Sequence, residues 1–132
     1  MRLLHPKDWA PTKGFSNGVA AQGRQVFVAG QIGWNAQQEI VSDDFVAQVD
    51  QALRNIVAIL AEAGARPEHL VRLTWYVTDK HVYLARAKEV GETYKAIIGR
   101  HYPAMTLVQV AALLEDRARV EIEATAIVPN SP

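Results

Sequence analysis

The 132-residue chain has no cysteine, which excludes disulfide staples, thiolate nucleophiles and cysteine-held zinc or iron–sulfur centres. It has no net charge either, since 14 Lys and Arg balance 14 Asp and Glu. That balance removes the bulk attraction on which nonspecific nucleic-acid or anionic-membrane binding depends, so neither partner is expected. Glycine and proline are scarce, at 8 and 6 residues, which argues against collagen-like or low-complexity organisation. No apolar run approaches the length of a membrane span, because the longest, Ile56–Ala61, is interrupted at Glu62 and Gly64. The opening Met1-Arg2-Leu3-Leu4-His5-Pro6 is a poor secretory signal, and a cytoplasmic location is the expectation. What is present is a hydrophobic content of 49%, enough to give residues 1–132 one packed soluble domain.

Residues 1–18, with Pro6, Pro11, Gly14 and Gly18 among polar residues, read as an irregular N-terminal arm. Val19-Ala20-Ala21 and Gln25-Val26-Phe27-Val28-Ala29 flank a glycine-containing turn at residues 22–24, a hairpin signal. Ser42-Asp43-Asp44 supplies capping groups for a helix in which Val46, Val49, Leu53, Ile56, Val57 and Leu60 keep a 3.6-residue period, with Gln48, Asp50, Gln51, Arg54 and Asn55 outward and Gly64 as its stop. Leu70–Thr78 is rich in β-branched and aromatic residues and predicts a strand closed by Asp79. One helix is expected over Val82–Ile98, interrupted only by Gly91. Strands are expected over Met105–Leu113 and Arg119–Val128 on either side of the turn Glu115-Asp116-Arg117. The order β-β-α-β-α-β-β predicts an α+β sandwich, one sheet with two helices on one face. Val26, Val28, Ile32, Trp75, Val77, Leu107 and Val120 exceed what a one-sided core needs, so a second copy is expected to cover the other face.

Gly14-Phe15-Ser16-Asn17-Gly18 matches the G-x-S-x-G elbow by letter, but an irregular segment precedes it and a short strand follows, so a turn is the better reading. His5, His69, His81 and His101 lack metal-ligand spacing, and no metal or cofactor is implied. Glu121 and Glu123 stand two apart on a strand and therefore share a face. Burial there favours the protonated acid and a neighbour such as Arg119 the carboxylate, so either general acid/base work or an ion-pair ladder is open to them, with the ladder favoured by the residues alone.

Val26-Phe27-Val28-Ala29-Gly30-Gln31-Ile32-Gly33, Gln51-Ala52-Leu53-Arg54-Asn55-Ile56, Leu60-Ala61-Glu62-Ala63-Gly64, Tyr102-Pro103-Ala104 and Val120-Glu121-Ile122-Glu123-Ala124-Thr125-Ala126 together resemble the Rid/YjgF family of reactive-intermediate deaminases. The resemblance runs from about residue 11 to 128. It implies a chorismate-mutase-like protomer, a homotrimer with a central barrel, and small-molecule clefts between subunits. It also implies hydrolysis of enamines or imines such as 2-aminoacrylate, with Glu121 positioning the attacking water.

The arginine that clamps the substrate carboxylate in deaminating members falls at Met105, so this chain looks like an arginine-lacking member. Phe15, Ala29, Gly91 and Leu107 depart from the family in the same implied pocket, which Gly30 and Gln31 complete. A soft apolar wall replaces a bidentate guanidinium. The expected activity is therefore an imine or enamine deaminase whose substrate lacks a carboxylate beside the reacting carbon. The alternative is a non-catalytic small-molecule-binding or regulatory trimer of the same fold. Ribonuclease activity, attributed to some relatives, gains little from a neutral chain without a histidine pair or a basic-aromatic stripe.

Overall fold

Valine, isoleucine and alanine alternate with polar residues along Val120–Val128, and this strand becomes the centre of the sheet in the computed structural model, which describes residues 1–130. In chain order the elements are β1 (Arg2–Leu4), β2 (Gly18–Ala20), β3 (Arg24–Gln31), α1 (Phe45–Glu62), a 3₁₀ turn (Pro67–His69), β4 (Leu70–Val77), α2 (Lys80–Ala85), α3 (Ala87–Ile97), β5 (Ala104–Gln109) and β6 (Val120–Val128). The main sheet has the order β3-β6-β4-β5, with β6 antiparallel to both neighbours and β5 parallel to β4. The parallel pair requires the crossover that α2 and α3 supply.

Four expectations need correcting. The arm carries a strand, and β2 pairs with that strand, β1, rather than forming a hairpin with β3. A short β2 cannot compete with β6, which offers β3 a ladder running from Arg24↔Val128 to Gln31↔Ile122. The single helix over 82–98 is two, parted at Arg86, which ends α2 and begins α3, whereas Gly91 lies inside α3 without breaking it. Finally, β5 stops at Gln109 instead of Leu113 and is not a neighbour of β6. Its partner β4 turns into α2 there, with Asp79 accepting from His81 N and Gln109 Oε1 accepting from Lys80 N.

α1 begins where Asp44 accepts from Ala47 N at 3.0 Å, while Ser42 Oγ accepts from Asp44 N. The cap is thus Asp44, with Ser42 supporting it. Val49, Ala52, Leu53, Ile56 and Leu60 are buried against β3 and β6, and α3 packs on α1 to bring Val90, Tyr94 and Ile98 into the same core. Each fully buried leucine or isoleucine there contributes about 1.5–3 kcal/mol. Gln48, expected on the outer face, is fully buried.

The apolar strand residues taken to imply a second copy have a simpler placement. Val28, Ile32, Trp75, Val77 and Val120 are buried, and Val26 and Leu107 pack against the same core, so one copy accounts for all seven. The other face of the sheet is different in kind. It carries Arg72, Thr74 and Tyr76 from β4, Glu121, Glu123 and Thr125 from β6, and Phe27 from β3, which is 71% exposed. Any case for assembly rests on that face, not on the core residues.

Candidate functional site

Period-two alternation on β6 buries Val120, Ile122 and Ala124 and leaves Glu121 and Glu123 on the uncovered face. Tyr76 is the register partner of Glu121 and Thr74 that of Glu123. Tyr76 donates its hydroxyl to Glu123 Oε1 at 2.8 Å, and that bond to a carboxylate holds the phenol above its usual pKa. Arg119, expected to tune the glutamates, instead donates Nε to the Asp43 carbonyl at 2.9 Å. The arginine that shares the open face is Arg72, opposite Thr125.

Glu121 rests on glycine. The β3–β6 register slips between Val28 and Gln31, which bulges Ala29 and Gly30, and a Cβ added at Gly30 would collide with the Glu121 carboxylate. Only a residue without a side chain admits the acid at this point. Gln31 joins the same group by backbone, since its Nε2 turns back to donate to the Ala29 carbonyl at 3.0 Å.

The chain leaving β3 is held by α1. Asn55 Nδ2 donates to the carbonyls of Trp34 (2.8 Å) and Ile32 (3.3 Å), while Gln51 Nε2 donates to Asn55 Oδ1 (2.7 Å). Gln48 Nε2 donates to the carbonyls of Ser42 and Arg117 at 2.9 and 3.0 Å, and its Oε1 accepts from Arg119 N at 2.8 Å. A buried amide with all these bonds met ties α1 to the approach to β6. Gln48 and Asn55 therefore position the backbone around Glu121 without facing it. The signal for Gln48 was present in the sequence, because it falls on the stripe 45, 48, 49, 52, 53, 56, 60 that the helix buries.

The remaining candidates form a second group. Met105 is paired with Leu73 and Leu107 with Trp75, so both point to the helix-covered side and pack against the core. Gly91 is exposed on α3. Phe15 precedes Ser16, which bridges Ala104, donates its amide to Pro103 O at 3.0 Å and its hydroxyl to Tyr102 O. Ser16 is thus engaged in a turn and not poised as a nucleophile. β4 separates the strands of Met105 and Glu121, and their partners Leu73 and Tyr76 lie three residues apart on it, so the two residues are offset by roughly 10 Å across the sheet and roughly 10 Å along it, and they lie on opposite faces. One copy of the chain does not bring the two groups into a common cavity. Among the described residues, no cluster of three or more His, Asp or Glu is arranged to hold a metal ion, and no helix is long and apolar enough to cross a membrane.

These features have counterparts in known proteins. The profile of the endoribonuclease L-PSP family matches residues 6–128, and the chain belongs to this family, that of the Rid/YjgF proteins. It is 34% identical over 108 residues to the 2-iminobutanoate/2-iminopropanoate deaminase of Salmonella typhimurium, covering 80% of each chain. It is also 37% identical over 90 residues to a RutC family protein of Aquifex aeolicus, covering 68% of each. In structure it is similar to the Rid protein YyfB of Yersinia pestis, with a TM-score of 0.86, 35% identity and coverage of 96% of this chain and 98% of that one.

Proposed function

We propose that the protein hydrolyses the C=N bond of a reactive imine or enamine to a carbonyl compound and ammonia, on a substrate other than 2-aminoacrylate. The observation that carries this reading is the Glu121 carboxylate seated against the bared backbone at Gly30, on the sheet face that no helix covers. Water adds to the imine carbon as Glu121 accepts one of its protons and passes it to the nitrogen, giving a carbinolamine. The same carboxylate then moves the carbinol O–H proton to the amino nitrogen, the C–N bond breaks, and ammonia leaves as the carbonyl forms. Backbone groups at Gly30 and Gln31 hold the nitrogen, and Phe15, Gly91, Met105 and Leu107 form the side that receives the rest of the substrate. The kinship with an imine deaminase supports this chemistry.

Because Glu121 and Met105 lie on opposite faces of one sheet, the reading requires a cleft between copies, and we place it in a homotrimer. Met105 supplies no guanidinium to pair a 2-carboxylate, so the preferred substrate carries none beside the reacting carbon. Glu121→Gln is expected to abolish ammonia release while the melting temperature and a three-copy molar mass by light scattering persist. Unchanged turnover would end the reading, and efficient turnover of 2-aminoacrylate would end its substrate clause. The packing of Met105 and Leu107 against the core favours a second reading, a trimer that binds small molecules without turning them over. Saturable binding of imine analogues with no ammonia release on any of them would select it.

A further inference from the structure

Ser16 and Ala104 form a bridge between segments running in the same direction, and upstream of it the two segments part. Between them lies a cleft of about 470 Å³ lined by Thr12, Lys13, Phe15 and Ser16 on one side and by Arg100 and Tyr102 on the other. Its walls are set by bonds that do not involve a ligand. Tyr94 donates its hydroxyl to His101 O at 2.6 Å, His101 Nε2 donates to Leu70 O at 2.7 Å, and Ser16 Oγ donates to Tyr102 O. Tyr102 stacks on Tyr94 with centroids 5.5 Å apart. Gly99, with φ of +95°, turns the chain off the end of α3 and Arg100 follows it into the cleft wall.

Lys13 lines this cleft from one side and Arg100 from the other. Like most basic side chains of the molecule, and unlike Arg54, Arg66, Arg86 and Arg117, which each meet a carboxylate within 3.0 Å, they take part in no ion pair among the described residues; what sets them apart is that they share one cleft. Two unpaired cations over a fixed floor, with the Phe15 ring beside them, suit an anion borne on an apolar body. Arg100 stands five residues before Met105, a span of at most roughly 17 Å, and Lys13 stands two before Phe15, at most roughly 7 Å. These spans leave room for several bonds between a carboxylate held here and a carbon that reacts beyond Phe15 and Met105.

We propose that Lys13 and Arg100 form a carboxylate-binding subsite, so that the substrate class is imines of keto acids whose carboxylate is remote from the C=N carbon. This rests on the deaminase reading for the reaction but not for the binding. The loss of an arginine at 105 then relocates the anion contact instead of abolishing it.

The test is calorimetric titration of the intact assembly with three stable carbonyl compounds: 4-oxopentanoate, pyruvate and pentan-2-one. 4-Oxopentanoate is expected to bind at least about tenfold more tightly than either of the others, to weaken with added salt, and to lose about tenfold in affinity in a Lys13→Gln, Arg100→Gln double variant of unchanged melting temperature. Lys13→Arg is expected to retain the binding. Equal binding of all three compounds, no binding of any, or an unchanged affinity in the double variant overturns the proposal. Binding is read without turnover, so its failure is separate from the failure of Glu121→Gln to stop ammonia release.

Discussion

The two faces of β6 are built from adjacent residues and have opposite fates. Ile122 is fully buried under α1, while its neighbours Glu121 and Glu123 look out on a face with no helix over it. The covered face is closed within one chain: every apolar strand residue that suggested a second copy lies there. The uncovered face holds a carboxylate on a glycine seat, a tyrosine bonded to a second carboxylate, an arginine and an exposed phenylalanine. Stability and chemistry are therefore separated by the pleat of the sheet, one residue apart along the strand. An assembly argument that counts apolar residues looks at the wrong face.

The largest effect expected from this separation is at Ile122. Ile122→Ala should lower unfolding free energy in urea by about 3 kcal/mol through cavity formation, while Glu123→Ala should stay within about 0.5 kcal/mol. A comparable loss at Glu123 would break the comparison and mean that the open face is packed. Gly30→Ala should do the reverse of Ile122→Ala. Its methyl group displaces the end of a flexible glutamate, so deamination should fall by about a hundredfold with a modest change in melting temperature. Gln48→Ala comes next, at about 2 kcal/mol, because two carbonyls and one amide lose a buried partner; a denaturation midpoint unchanged from the parent would show that the clamp is idle.

Asp44→Ala follows, at about 1 kcal/mol for a lost N-cap. Asp44 is held below its usual pKa by the hydrogen bond from Arg86 and then by the Ala47 amide. A depressed folded pKa means the contribution is complete above the ordinary carboxylate range, near about pH 4, and is lost as the pH falls through the folded value. Urea titrations of parent and variant should therefore converge on acidification, and a gap that widens would refute the assignment of the cap.

Much of this was legible in the sequence where one signal dominated. The 3.6-residue period of α1 and the alternation of β6 each answer to a single force, burial of one stripe or one face, and both elements form as expected. Pairing was less legible. β2 and β3 are joined by a turn, yet β3 takes β6, because ladder length is a property of strands that meet only in three dimensions. Gln48 is polar by residue type, which points outward, yet its position on the buried stripe of α1 takes it into the core. Glu121 and Gly30 could be named from the resemblance, but the bulge that sets one against the other has no local marker. The cleft of Lys13 and Arg100 had none either, since it arises where two distant segments part after a single bridge.

The place of β6 also bears on when the fold can form. It follows every other strand in chain order, yet it lies between β3 and β4. Until it is synthesised, β3 has no main-sheet partner and α1 has only part of its floor, and the Gln48 clamp reaches to Arg117 and Arg119, 69 and 71 residues away and just ahead of β6. A nascent chain ending before residue 120 can hold little beyond the local β4-α-β5 unit, so cooperative folding waits for the last strand. The Arg119 amide, sealed by Gln48, should then exchange its hydrogen only when the whole domain opens.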